Sequence, residues 1–200
     1  MVRAVALALF PMKLEGRERI PTRGPYIVVA NHVNWKDPPA LEFTFGVAIR
    51  FMAKIEAFGM FFLGGLLRGI GCFPVRRGEA DRRAVVTCLH VLRAGNPLGF
   101  FPEGTRSRER KLGRAHPGIA FLALRSEVPI LPVGVTGTPE AKPFRSDILV
   151  RVGEPFRASE LPEAATHDEQ AVADAIMRRV AALLPEQMRG YYSDAVQKRT

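Results

Sequence analysis

His32 closes a short apolar run and Asp37 follows five residues later, within Asn31 to Pro39 (NHVNWKDPP). An alcohol attacks a carbonyl at neutral pH only once its proton is taken, and imidazole, with an unperturbed pKa of about 6.5, is the side chain matched to take it. A carboxylate on the other ring nitrogen fixes the tautomer and stabilises the imidazolium. The same residues also have a purely structural use: Asp37 before Pro38 suits a helix N-cap with proline at the first helical position, and His32 suits a satisfied loop histidine. A second group lies in Phe100 to Lys111 (FFPEGTRSRERK), where an apolar strand end opens into Glu103, Gly104, Thr105 and Arg106. Glycine lets backbone N–H groups approach an oxyanion, the Thr hydroxyl donates, and the Arg fork matches phosphate oxygens at about 1.5–3 kcal/mol per charge-assisted contact. Glu103 does not bind phosphate directly; it suits holding Arg106 or another arginine, or accepting from a hydroxyl. With no GKS or GKT after it, the loop is not a nucleotide-binding P-loop.

These groups need strands and helices to hold them. Tyr26 to Ala30 (YIVVA) is a β-branched run between Gly24-Pro25 and a polar cluster, and predicts a buried strand that delivers Asn31 and His32. Similar runs fall at Arg50 to Ala53, Cys72 to Val75, Leu98 to Phe101, Ile130 to Val135 and Ile148 to Val152. Helical spacing marks Glu79 to Arg93, with Gly95 as a stop, and Asp168 to Leu184, where Val172, Ile176, Val180 and Leu184 form a stripe before Pro185. Alternation of this kind predicts an α/β domain. Gly153 to Thr166 reads as a connection and YYSDAVQKRT as a loose tail.

Two hundred residues suit one domain over 1–200, without repeats or low-complexity stretches. The 29 Lys and Arg against 20 Asp and Glu leave a net +9, which predicts an anionic partner: nucleic acid, a phospholipid surface, an acidic carrier or a phosphorylated small molecule. Cys72 and Cys88 are far too few for a disulfide scaffold, and point to a reducing, cytoplasmic setting with both thiols packed or idle. MVRAVALALF is followed by no small-residue cleavage site, so secretion is not expected. Ala57 to Leu67 (AFGMFFLGGLL) is 11 residues against the roughly 20 that span a bilayer, so it suits core or a lipid interface, with Arg68 towards head groups.

NHVNWKD resembles the NHxxxxD motif, and FPEGTRS the FPEGTRS motif, of the glycerol-phosphate and lysophosphatidate acyltransferase family. Two further blocks, GCFPVRR at Gly71 to Arg77 and VPILPVGV at Val128 to Val135, occur in the family's order, so the resemblance covers roughly residues 12–152. It implies a mixed, mostly parallel sheet flanked by helices. It implies His32 as general base, Asp37 as its orienting partner, and Arg76, Glu103, Gly104, Thr105 and Arg106 as the acceptor-phosphate site. It further implies direct transfer from acyl-CoA or acyl carrier protein to a lysophospholipid such as 1-acylglycerol 3-phosphate, with no acyl-enzyme, no metal and no cofactor beyond the acyl donor. Val75 stands where members often carry an acid before the Arg76 position, a second arginine follows at Arg77, and RAHPG offers His116 where many carry a lysine. The chain lacks the N-terminal membrane helices of some members, which predicts a peripheral enzyme on the inner, anionic face of the membrane, held by apolar residues and arginines.

Glycerol 3-phosphate, other lysophospholipids and lyso-ornithine lipid remain alternative acceptors. A basic module binding nucleic acid or lipid would fit the charge, but neither zinc spacing, an RNP-like strand nor a recognition helix is present, so nucleic acid is not an expected partner. A thioesterase or Cys-His hydrolase would need Cys72 or Cys88 beside His32, and no feature of the sequence places them there.

Overall fold

The computed structural model describes residues 2–69, 71–75 and 82–194. Among these residues seven strands, β1 (Met12–Glu15), β2 (Ile27–Ala30), β3 (Arg50–Lys54), β4 (Phe73–Val75), β5 (Leu98–Phe100), β6 (Ile130–Thr136) and β7 (Ile148–Val152), form one sheet in the order β1-β7-β6-β2-β5-β3-β4. Every pairing is parallel except β6 with β7. The expected mixed, mostly parallel α/β architecture is therefore the one observed.

Helices cover both faces, and β2 shows why its sequence is apolar throughout. Ile27 and Val29 pack into a core with Cys88 and Leu92 of α5 (Arg82–Arg93), Ile119 and Leu122 of α6 (Gly118–Ser126), and Val172 and Ile176 of α7 (Glu169–Ala181). Val28 and Ala30 point the other way, onto Ala40, Leu41 and Phe45 of α2 (Asp37–Phe45) and onto Val133, Val135 and Val150 of β6 and β7. Successive strand residues face opposite sides, so a strand buried on both faces must be apolar at every position. The β2 carboxyl end is thereby held between β5 and β6, and with it the chain that carries His32.

The expected strands agree with the observed ones to within a residue or two. Helix α7 opens at an N-cap, Asp168, whose carboxylate accepts from the N–H groups of Gln170 and Ala171, and it ends at Ala181 rather than Leu184. Helix α5 is described from Arg82; the expected start at Glu79 and the site residue Arg76 lie outside the described residues.

Two expectations change. Gly153 to Thr166 is not a plain connection: it forms short 3-10 turns at Ala158–Glu160 and Pro162–Thr166 and buries Phe156, Ala158 and Leu161. The start of the tail is docked, because the buried Tyr192 hydroxyl accepts from Ala115 N–H and donates to Asp174 (2.9 and 2.8 Å). Ala57 to Leu67 falls across α3 (Ile55–Phe58) and α4 (Phe61–Gly69), with the exposed Arg68 lying over the Phe58 ring. At the opposite end of the sheet, α1 (Val2–Leu9) packs on α2 with none of residues 3–9 fully buried.

Gly99 at the centre of β5 is required by a close approach. A Cβ there would stand 2.0 Å from the Phe51 ring, its neighbour in the β3–β5 register. The space glycine leaves lets Phe51 stack on Phe101 (5.6 Å), and Phe101 in turn stacks on the His32 imidazole (4.2 Å, 18° between planes).

Candidate active site

Parallel strands deliver their carboxyl ends to one edge of the sheet, so the segments after β2, β5 and β6 meet there. After β2 the chain turns through residues 31–36 into α2. Asn31 bridges to β6 by a two-way pair with the Val135 backbone (2.9 and 2.7 Å), extending the strand pairing by one side chain. His32 is 8% exposed and Asp37 fully buried. The His32 Nδ1 and Asp37 Oδ2 atoms are 2.8 Å apart. An ionised carboxylate only accepts, so the proton of this bond sits on Nδ1 and the free lone pair on Nε2. Nε2 has no hydrogen-bond partner among the described residues and is not sealed off from solvent.

The structural alternative for Asp37 is only partly what is seen. Asp37 does open α2, with Lys36 as N-cap and Pro38 in the first turn, but its side chain does not cap that helix. Oδ2 turns back to accept from Val33 and Asn34 N–H (2.8 and 2.7 Å) as well as from His32, and Oδ1 accepts from the Thr138 hydroxyl at 2.5 Å. Four donors around one buried carboxylate hold it in one orientation.

After β5, Gly104 N–H closes a tight turn on the Phe101 carbonyl (3.0 Å), which leaves Thr105 and Arg106 exposed. Ser107 N–H then donates to the His32 carbonyl (2.8 Å), joining the arginine loop to the dyad turn. The two together line a polar cavity of about 600 Å³ with Val33, Asn34, Thr105, Arg106, Arg108 and Arg110. Exposed His116 lies against this turn, its ring 3.0 Å from where a Cβ on Gly104 would stand.

Among the described residues Glu103 pairs with no arginine, Arg106 included. It is buried beneath the loop, with one oxygen accepting from His32 N–H (2.9 Å) and the other from Gly113 N–H (3.0 Å). Burial pushes its carboxyl up to about 7, against the pull of those two amides, and the charge of Asp37 adds to the rise. Glu103 thus braces the His32 backbone against the segment that follows the arginine loop. Arg106 points outward because the residue at the turn's exit faces solvent.

On the other side of residues 31–36 lies an apolar groove of about 610 Å³, between α1 and α2, lined by Val5, Leu9, Phe10, Trp35, Phe43 and Pro143 among others. Val33 and Asn34 face the polar cavity while Trp35 and Lys36 line the groove. The turn that carries the dyad therefore divides a cationic compartment from a greasy one.

Neither thiol belongs to this site. Cys88 is buried beside Met52 and pushed up to about 12, and Cys72 to about 11, in both cases chiefly by burial. Thiols held so far above neutrality are not nucleophiles.

An imidazole paired with a buried carboxylate, beside a cationic cavity at the carboxyl ends of parallel strands, is an arrangement suited to group transfer. The chain belongs to the acyltransferase family, whose model, described as acyltransferase, matches residues 11–136. It is 29% identical over 156 residues to a chloroplastic 1-acyl-sn-glycerol-3-phosphate acyltransferase of Arabidopsis thaliana, a match covering 74% of this chain and 43% of that one, so it spans less than half that relative's length. A 1-acyl-sn-glycerol-3-phosphate acyltransferase of Bacillus subtilis is 26% identical over 181 residues, covering 86% of this chain and 87% of the other. The crystal structure of the 1-acyl-sn-glycerophosphate acyltransferase of Thermotoga maritima superposes with a TM-score of 0.67 at 26% identity, over 91% of this chain and 76% of that one.

Proposed function

We propose that this chain transfers a fatty acyl group from a thioester, acyl-CoA or acyl carrier protein, to the free hydroxyl of 1-acylglycerol 3-phosphate, giving phosphatidate. The observation that carries the reading is the dyad's position on the turn between the two compartments. Arg106 and its neighbours supply charge for the acceptor phosphate, while the groove offers apolar walls to an acyl chain. His32 Nε2 takes the acceptor hydroxyl proton as the oxygen attacks the thioester carbonyl. The C–S bond then breaks, and the imidazolium returns the proton to the departing thiolate. Asp37 orients the ring and steadies the imidazolium. No acyl-enzyme forms in this scheme, which agrees with the two unreactive thiols. The relatives named above act on this acceptor, which favours it over glycerol 3-phosphate and other lysolipids.

No described helix is long and apolar enough to cross a membrane. Trp35 and Phe144, 58% and 74% exposed, stand beside α1 with exposed Arg3, Lys142 and Arg145 around them. Aromatic side chains within a basic rim suit a peripheral seat on an anionic leaflet, with the groove opening towards the lipid.

The test is an assay of wild type and His32→Ala with 1-acylglycerol 3-phosphate and either acyl-CoA or acyl carrier protein, with products read by mass spectrometry. Positioned acid–base catalysis contributes about 10²–10⁴-fold, so His32→Ala loses that much of kcat. A wild type that makes no phosphatidate from either donor, or a variant within a few-fold of it, refutes the reading.

A further inference from the structure

The segment after β6 lies outside both the dyad turn and the arginine loop, yet it touches the dyad more closely than any side chain of that loop. The chain leaves β6 at Thr136 and bends at Gly137, whose φ of +78° and space are both reserved for glycine: a Cβ there would stand 2.2 Å from the Asp147 carbonyl oxygen. The bend carries Thr138 back over the β2 end, where it is fully buried. Its hydroxyl donates to Asp37 Oδ1 at 2.5 Å. The segment is held in that place by Lys36, the residue before Asp37, whose ammonium donates to the carbonyls of Thr138 (3.0 Å), Pro139 (3.4 Å) and Ala141 (2.7 Å).

We infer that Thr138 is a positioning residue of the dyad, aiming the Asp37 carboxylate so that Oδ2 alone meets His32. Three donors converge on Oδ2: His32 Nδ1 and the N–H groups of Val33 and Asn34. A carboxylate so crowded on one oxygen would rotate to share the load unless the other oxygen has its own donor. Among the described residues the Thr138 hydroxyl is the one hydrogen-bond donor to Oδ1. Without it a buried anionic oxygen is left unpaired, and rotation of the carboxylate relieves that loss by lengthening the bond to Nδ1. The imidazole then keeps its place on Phe101 but loses its fixed tautomer and the support of its charged form.

A merely structural threonine predicts a different set of results. The loss from Thr138→Val, which keeps the shape and removes the hydroxyl, falls on kcat by about 10- to 100-fold, as for removal of a charge-assisted hydrogen bond felt in the transition state. Both KM values stay in place, because neither compartment is touched, and Thr138→Ser restores kcat. A second readout needs no turnover. In protein labelled with 15N-histidine, the deshielded Nδ1 proton of His32, assigned by its absence from His32→Ala, moves upfield in Thr138→Val and returns in Thr138→Ser. Thr138→Ala carries the same comparison if the valine variant does not fold. Retained kcat with an unmoved proton signal in a folded variant overturns the inference. So does a fall in kcat that tracks a lower Tm, leaves the signal unmoved and is not restored by serine. The kinetic arm rests on the acyl-transfer reading, whereas the proton signal does not: if wild type transfers no acyl group, that signal alone decides the role of Thr138.

Discussion

Replacing Glu103 by glutamine tests the brace between His32 and the arginine loop. The carboxylate accepts at both oxygens, from His32 N–H and Gly113 N–H, in a buried position that raises it from 4.5 to about 7. A raised carboxyl binds its proton more tightly in the folded chain than in the unfolded one. Its contribution to stability is therefore present in full below about 4.5 and lost as pH climbs through about 7. At about 1.4 kcal/mol per pH unit between those two values, the loss is roughly 3 kcal/mol. Glutamine has no such dependence. Its amide supplies one acceptor and one donor group, so one of the two backbone N–H groups goes unpaired, at about 1–3 kcal/mol. Glu103→Gln is thus clearly less stable than wild type at pH 5, and the gap narrows by roughly 3 kcal/mol towards pH 8, closing or reversing. Urea unfolding of both proteins at fixed ionic strength from pH 5 to 8 measures this difference. A gap that stays constant across that range, or widens with pH, refutes the argument that burial dominates the amide bonds at Glu103.

Arg106→Ala raises the acceptor KM by about 10- to 100-fold and leaves the donor KM alone, in steady-state kinetics varying each substrate in turn; an effect confined to kcat contradicts a phosphate role. The double variant Cys72→Ala/Cys88→Ala keeps full activity and resists thiol reagents, and loss of transfer in a folded double variant would restore a covalent mechanism. Trp35→Glu and Phe144→Glu abolish flotation with anionic liposomes, while Phe121→Glu, an equally plain change at a half-exposed site on α6, does not. Equal flotation of all three variants places the membrane seat elsewhere.

What could be read in advance followed from how local the cause was. Tyr26 to Ala30 is legible because burial on both faces leaves no room for a polar residue. By contrast β1 sits at the sheet edge, where only one neighbour constrains it, and its alternation of Met12, Lys13, Leu14 and Glu15 is too short to stand out as a strand. Helix α2 escapes its periodicity because Phe43 and Pro39 line the groove on the side away from the core, so apolar residues surround the helix. His32 and Asp37 are five residues apart and declare themselves as a pair. Thr138 stands 101 positions from Asp37, and only the β2–β6 adjacency brings them together, so nothing in its own neighbourhood marks it. Glu103 was legible as a residue but not in its partners: the sequence shows arginines close by, whereas the turn sends those arginines outward and turns the carboxylate in. Tyr192 sits in what resembles a frayed end until Asp174 and Ala115 give its hydroxyl two partners.

The pairing of β1 with β7, Met12 against Ile148, has a consequence for biosynthesis. A ribosome adding 5–20 residues per second makes the first of these strands roughly 7 to 27 s before the second. Through that interval the nascent chain carries a strand with no neighbour to accept it. Lys13 and Glu15 keep this waiting segment soluble and discourage it from pairing with strands of other chains.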